Sequence, residues 1–160
     1  MSRARPEAPP LAGFTVEIPV RFAECDSYGV VWHGHYSLYL EQAREALTGR
    51  HGFTATRALE LGYRVPITRM EIRYRSAVLA DTSVRVTVRL RKPEVARLEL
   101  DYEIRDASGK LLASAETEQV VLNSDGELLV SLPADIQRLV REILEDQDRA
   151  PAGAAARPKA

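Results

Sequence analysis

The sequence has few of the features that mark a redox, exported or membrane-spanning protein. Its 160 residues include one cysteine, Cys25, so no intrachain disulfide can form and a cysteine-rich zinc site is excluded. No apolar run approaches the roughly 20 residues that a helix needs to cross a bilayer. The first residues also lack an apolar core of signal-peptide length, so we predict a cytoplasmic protein without a membrane span.

The sequence also has almost no net charge. With 22 basic and 23 acidic residues the balance is -1, which gives no overall field to attract nucleic acid. Histidines are few as well, and His33 and His35 are two positions apart at the start of a helical pattern, so they point in different directions. Because zinc takes three or four protein ligands, we expect no metal site and no bound cofactor.

The two ends of the chain differ in composition from the middle. Residues 1–13 are predicted to form a disordered leader, and residues 146–160, rich in Ala, Pro and Arg, a disordered tail. The predicted folded domain is therefore 14–145, a length that suits one domain with a proper core.

The middle of the chain begins with a β-rich segment over 14–22 and continues into helical patterns. Apolar residues at spacings of four, three and four predict a long amphipathic helix, with Gly49 as its C-terminal stop; they are Tyr36, Leu40, Ala43 and Leu47. A second, short helix is predicted over 54–61, ending at Gly62.

From residue 63 onward the apolar residues alternate, which is typical of strands with one buried and one exposed face. Three such runs cover 69–75, 84–91 and 97–105, and a fourth strand, 111–122, carries small residues on one face. Short turn sequences join them as antiparallel hairpins, and a closing helix is predicted from Pro133 to about Leu144. One apolar helix against one antiparallel sheet predicts an α+β domain of two layers.

The loop between the first strand and the long helix has the composition of a chemical site. Asp26 precedes Gly29, so it is either an ordinary turn residue or a carboxylate shielded by Val30, Val31 and Trp32. A helix start nearby presents unpaired N–H groups. A carboxylate beside such amides suits attack on a carbonyl, because the acid supplies a nucleophile or base and the amides stabilise the oxyanion.

Other residues in this region have simpler interpretations. Cys25 stands between two acids, which raise the pKa of a thiol, so a structural role is favoured over a nucleophilic one. The arginines of the strand faces are mostly expected at the surface. Arg91 and Lys92, beside a turn, are candidates for binding the phosphates of a large cofactor tail such as that of coenzyme A.

The segment "FAECDSYGVVWHGHYSLYLEQARE" resembles the active-site loop and central helix of the 4-hydroxybenzoyl-CoA thioesterase family, which includes the thioesterases associated with Tol–Pal genes. Weaker similarity continues to about Leu144. The resemblance implies a hotdog fold, in which the antiparallel sheet wraps around a long central helix. It also implies a homodimer or homotetramer with active sites at the chain interface.

The resemblance further implies hydrolysis of an acyl-CoA, or of an acyl-carrier-protein thioester. Asp26 matches the catalytic acid, as nucleophile or general base, and His33 matches the position whose backbone N–H polarises the thioester carbonyl. The acyl pocket is expected to be lined by Tyr28, Gly29, Val30, Val31 and Trp32. Two alternatives remain open, a hotdog hydratase or dehydratase of acyl thioesters and a non-catalytic acyl-CoA-binding protein. One departure is Phe22, where the Tol–Pal branch has a tyrosine.

Overall fold

The predicted hotdog architecture is confirmed by a computed structural model that describes residues 9–150: an antiparallel sheet wraps around one long helix. Residues 1–8 and 151–160 of the predicted leader and tail lie outside the described range. Within it, the strands are β1 (Phe14–Pro19), β2 (Ile67–Tyr74), β3 (Ser83–Leu90), β4 (Arg97–Arg105) and β5 (Leu111–Val120). The α-helices are α1 (Tyr36–Arg50), α2 (Ala55–Glu60) and α3 (Ala134–Arg149).

The sheet has the strand order β1-β3-β4-β5-β2, and every neighbouring pair is antiparallel. In the central strands the predicted alternation is confirmed, since Val86 pairs with Ile104 and both side chains are buried. Polar and charged residues alternate with them on the outer face, where Arg89 pairs with Asp101. The centre of the sheet therefore supplies one apolar surface for the helices.

The long helix α1 lies across the inner faces of β1 and β3. Its buried residues include all four of the predicted apolar stripe, and Tyr39 is buried beside them. The predicted stop at Gly49 is one residue too early: α1 continues to Arg50, and the chain turns at Gly52, whose φ is +71°. A left-handed φ of this kind favours glycine after a helix.

The edge strand β2 departs from the expected burial. Met70 is 36% exposed and Tyr74 51% exposed, although their alternation predicts a buried face. The reason is the position of β2 at the edge of the sheet, where it pairs only with β5, while α1 lies over β1 and β3. Its inner face is left as an open apolar strip.

The closing helix α3 runs to Arg149, past its predicted end near Leu144. Near that end the buried Gln147 binds both backbone groups of Leu90: its Oε1 accepts from the amide at 2.7 Å and its Nε2 donates to the carbonyl at 3.0 Å. Leu90 needs this partner because the pairing of β1 with β3 ends at Phe14 and Val88. Residues before Phe14 also bind the sheet, as the amide of Leu11 donates to Glu103.

We predict that Gln147→Leu lowers the free energy of unfolding by about 2 kcal/mol, because two buried backbone groups of Leu90 lose their partners. Urea unfolding at one protein concentration measures the change. Asp148→Leu, which places the same side chain on the exposed face of α3, is the control and is expected to shift it by less than about 0.5 kcal/mol. Equal stability of Gln147→Leu and the parent protein would contradict this account of the docking of α3.

Candidate active site

The candidate site is a tight loop that joins a short 3-10 turn, Phe22–Glu24, to the start of the central helix. The loop is closed at its base by a bridge between Cys25 and Val31. Inside it the amide of Asp26 donates to the carbonyl of Val30 at 2.9 Å, and Gly29 turns the chain with a φ of +75°. The left-handed φ explains why residue 29 is a glycine, and the hydrogen bond fixes the backbone on both sides of the Asp26 carboxylate.

The carboxylate of Asp26 takes part in the turn and still has a free oxygen. Its Oδ1 accepts the amide of Tyr28 at 2.8 Å, an ordinary Asp turn. Among residues 9–150, the amide of Tyr28 is the only group that donates a hydrogen bond to this half-buried carboxylate. The turn interpretation is therefore confirmed, and Oδ2 remains available to a water or a substrate.

The other wall of the loop is the helix start. A 3-10 turn, His33–His35, leads directly into α1. The N–H groups of His33 and Gly34 stand in its first turn, where a helix supplies no carbonyl partners. The carbonyl of His33 is held from outside, because the hydroxyl of Tyr74 donates to it at 3.0 Å. The amide of His33 is the one expected from the sequence to serve as oxyanion donor, and that role stays a prediction.

Backbone hydrogen bonds hold the two walls together. The amide of Val31 donates to the carbonyl of Val78 at 2.9 Å, and the amide of Trp32 donates to that of Glu24 at 2.9 Å. Val78 is buried, as is Tyr36 at the start of α1. Asp26 and the helix start therefore belong to one closed unit.

The sequence interpretation missed a side-chain tie to this unit. The hydroxyl of Tyr39 donates to Oε2 of Glu24 at 2.6 Å, and burial together with this carboxylate raises the pKa of Tyr39 well above its ordinary value. Glu24 also receives the amide of Arg21. Tyr39 falls outside the apolar stripe, and its partner is 15 residues away, so no local pattern signals the contact.

The role of Gly34 was also missed by the sequence interpretation. The indole of Trp32 folds back over the helix start, with its ring 4.9 Å from that of His33 and 6.0 Å from that of His35. A Cβ at Gly34 would lie 2.1 Å from Cζ3 of the indole. The His-Gly-His sequence therefore makes room for Trp32. A glycine in the first turn of a helix, where it is unfavourable, is the signal that was available.

The residues predicted to line the acyl pocket differ in their exposure to solvent. Val31 is a core residue, 4% exposed, whereas Tyr28 is 88% and Trp32 48% exposed. Val30 is half-buried and pairs with Leu79. Within one chain, then, the carboxylate of Asp26 has an apolar rim at the surface rather than a closed apolar pocket. Exposed aromatic side chains around a loop are typical of a surface that another molecule covers.

The residues proposed for phosphate binding lie elsewhere. Arg91 is on the outer face of the sheet, where its guanidinium binds Asp101, Glu99 and Glu116, and these carboxylates raise its pKa further. Lys92 is exposed next to it. Since the charge of Arg91 is already balanced, binding a phosphate requires it to release a carboxylate, and the role stays a prediction.

Two further properties concern the chemistry of the site. Burial, followed by the charges of Asp26 and Glu24, raises the pKa of Cys25, which disfavours a thiolate nucleophile. Across residues 9–150, no three side chains of the His, Cys, Asp and Glu types are grouped so that they hold a metal ion. Over the same range, no helix has both the length and the apolar character for crossing a membrane.

The similarity to known proteins covers the same region of the chain. The model of the thioesterase-like superfamily matches residues 20–140. A 1,4-dihydroxy-2-naphthoyl-CoA hydrolase from Thermosynechococcus vestitus is 24% identical over 128 residues, which is 79% of this chain and 88% of the relative. Loop, central helix and sheet all fall within the matched region.

Solved structures share the fold. A DHNA-CoA thioesterase from Staphylococcus aureus has a TM-score of 0.76 at 24% identity and covers 86% of this chain and 96% of its own. A hypothetical protein from Thermus thermophilus has a TM-score of 0.75 at 28% identity, with coverage of 81% and 98%. The fold is therefore shared over nearly the full length of these proteins.

We predict that Gly34→Ala displaces Trp32 from the helix start, because the new Cβ occupies the place of the indole ring. Trp32 is the only tryptophan of the chain. Its fluorescence reports the change directly, as a shift of the emission towards that of a solvated indole. Gly49→Ala is the control, since a Cβ there meets nothing within 4 Å. An unchanged emission spectrum in Gly34→Ala would be inconsistent with the packing described.

Proposed function

The chain belongs to the thioesterase-like superfamily and is a thioester hydrolase, and we propose that it hydrolyses acyl-CoA thioesters with Asp26 as the reacting acid. The observation that carries the proposal is the closed loop that joins Asp26 to a helix start with unpaired amides. One side offers a carboxylate oxygen and the other offers hydrogen-bond donors for the thioester carbonyl.

The chemistry needs few groups. As a general base, Asp26 takes a proton from a water that attacks the carbonyl carbon; as a nucleophile, its oxygen forms a mixed anhydride that water then hydrolyses. In both routes the C–S bond breaks, coenzyme A leaves as the thiolate and takes up a proton, and the free acid remains. The amides of His33 and Gly34 bind the oxyanion of the tetrahedral intermediate that forms before the C–S bond breaks.

The apolar rim supports a site completed by a second copy of the chain. Phe22, Tyr28 and Leu79 are exposed around the loop, and β2 has one unpaired edge. An exposed strand edge is usually covered or paired in native proteins. We therefore propose a homodimer, or a tetramer of such dimers, in which the partner covers the loop.

The finer assignments rest on the resemblance of the loop. Membership of the 4-hydroxybenzoyl-CoA branch within the superfamily is a proposal supported by the spacing from Asp26 to His33, seven positions. The relative from Thermosynechococcus vestitus has an aromatic acyl-CoA in its name, so aromatic thioesters belong in a first panel of substrates. A cytoplasmic location also stays a prediction.

We predict that Asp26→Asn lowers kcat by at least about a hundredfold, the scale on which a general base contributes. The amide keeps an oxygen for Tyr28, so the turn is retained. Release of free thiol from a panel of aromatic, short and long acyl-CoAs measures the rate.

The control is Asp125→Asn, which makes the same change in another exposed turn. It should leave the rate as it is in the parent protein. If Asp26→Asn released thiol at the rate of the parent protein, this carboxylate would not be the reacting acid.

We predict that His33→Ala lowers kcat by less than about tenfold, because the backbone N–H that it leaves in place is the proposed oxyanion donor. The same thiol assay measures this rate beside that of Asp26→Asn. A loss of about a hundredfold or more, the usual effect of removing such a donor, would instead assign the role to the imidazole.

A further inference from the structure

We infer that Tyr74 is a positioning residue for the reaction: its hydroxyl orients and polarises the peptide unit between His33 and Gly34, and so strengthens the Gly34 N–H as an oxyanion donor. The inference rests on the proposed thioesterase function and adds to it a residue from outside the loop. It is carried by one hydrogen bond, by the free amides of the helix start and by the packing that holds the phenol ring.

The hydrogen bond of Tyr74 and the proposed donor belong to the same planar group. The hydroxyl donates to the carbonyl oxygen of His33 at 3.0 Å, and this carbonyl shares its peptide unit with the N–H of Gly34. The unit is trans, as are all peptide bonds of residues 9–150. The N–H therefore points away from the phenol, towards the N-terminal end of the helix. A hydrogen bond to the oxygen polarises the unit and makes its N–H a stronger donor.

The amides at the helix start divide into occupied and free ones. The amide of Trp32 donates to the carbonyl of Glu24 and that of His35 to the carbonyl of Trp32, each at 2.9 Å. For the amides of His33 and Gly34, the part of the chain that the structure describes provides no acceptor. These two N–H groups are therefore free to bind the oxygen of a thioester.

Both free amides have support behind them, but from different sources. The His33 N–H shares its peptide unit with the carbonyl of Trp32, which accepts the amide of His35. The Gly34 N–H shares its unit with the carbonyl of His33, which accepts the hydroxyl of Tyr74. A side chain from β2 therefore supports the second donor in the way that the helix backbone supports the first.

The phenol of Tyr74 is held in place from two directions. Its ring packs edge-on against the buried ring of Tyr36, with the centroids 4.8 Å apart and the planes at 83°. Its backbone closes β2, where it pairs with the fully buried Ala113. Directly after it, the amide of Arg75 donates to the carbonyl of Leu112 at 2.9 Å. Packing and strand pairing therefore place the hydroxyl, as a supporting group for a reactive site requires.

The exposure of the ring limits the size of the effect. Because Tyr74 is 51% exposed, a water can donate to the carbonyl of His33 when the hydroxyl is missing. Removing an oxyanion donor outright lowers kcat by about a hundredfold or more. Loss of the group behind one donor should cost much less, about fivefold in kcat, which is the scale of one neutral hydrogen bond.

The first test is Tyr74→Phe, which keeps the ring against Tyr36 and removes only the hydroxyl. With the acyl-CoA that the parent protein hydrolyses fastest, we expect kcat to fall by about fivefold and KM to stay within about twofold. This split distinguishes support of the transition state from a general loosening of the site. Tyr63→Phe, which removes a hydroxyl beside the C-terminal half of α1, is the control and should match the parent protein. An unchanged kcat in Tyr74→Phe overturns the inference.

A graded series separates the strength of the hydrogen bond from the shape of the side chain. Monofluorotyrosine and difluorotyrosine in place of Tyr74 keep the hydroxyl on nearly the same ring, and fluorine beside the hydroxyl makes it a stronger donor. At a pH where each phenol keeps its proton, we expect kcat to rise from phenylalanine through tyrosine to the fluorinated residues. A kcat that does not follow the donor strength rejects polarisation as the role of Tyr74.

A measurement without substrate tests the hydrogen bond itself. A hydrogen bond to a carbonyl moves the nitrogen resonance of the following amide downfield. In Tyr74→Phe the amide nitrogen of Gly34 should therefore move upfield, whereas that of Gly49, near the end of α1, should stay in place. If turnover is slower but the Gly34 resonance does not move, the hydroxyl acts on the substrate directly and the inference is overturned.

The same variants separate this inference from the proposed function. Slow turnover in Tyr74→Phe, with Asp26→Asn at the parental rate, would overturn the role of Asp26 and leave that of Tyr74 standing. Slow turnover in Asp26→Asn, with Tyr74→Phe at the parental rate, would do the reverse.

Discussion

The packing of the central helix α1 on one side of the sheet is the constraint on which the rest of the structure depends. Because α1 lies across β1 and β3, its buried face completes the core, and its start is brought against the loop of Asp26. The same placement leaves the inner face of the edge strand β2 open. One packing choice therefore produces the core, the position of the reacting loop and the exposed edge strand.

The loop is held by contacts that join it to this helix. Tyr39 binds Glu24, and the ring of Tyr36 packs against that of Tyr74, whose hydroxyl binds the carbonyl of His33. Tyr36 and Tyr39 are both buried on α1, so any shift of the helix moves the loop with it. Rigid support of this kind is what precise positioning of a carboxylate and an oxyanion donor requires.

The sequence predicts those parts of the fold that depend on local periodicity. The stripe of α1 and the alternation in β3 and β4 are read correctly, because these elements are covered evenly on one face. The burial of β2 is predicted wrongly, since β2 is an edge strand that pairs with β5 alone and Met70 on it is partly exposed. The burial of β2 depends on where the helix layer lies relative to the sheet. The sequence of one segment does not encode that position.

The candidate site residues also divide into those that local sequence signals predict and those that depend on tertiary contacts. The turn at Asp26 and the helix start at His33 follow from local signals, whereas Tyr39 with Glu24 and Trp32 with Gly34 depend on tertiary contacts. Arg91 differs from both, because its proximity to a turn suggests a free cation, whereas the neighbouring strands supply three carboxylates. Whether such a charged side chain is free or paired depends on its neighbours across the strands.

The carboxylate of Asp26 is only half-buried within one chain, so its contribution to catalysis depends on what covers it. A partner chain over the apolar rim would remove water from the carboxylate. Binding energy gained far from the reacting bond raises kcat only where it improves the geometry of the transition state. Tyr74 links more distant contacts to the site, since its ring packs against that of Tyr36 and its hydroxyl holds the carbonyl of His33.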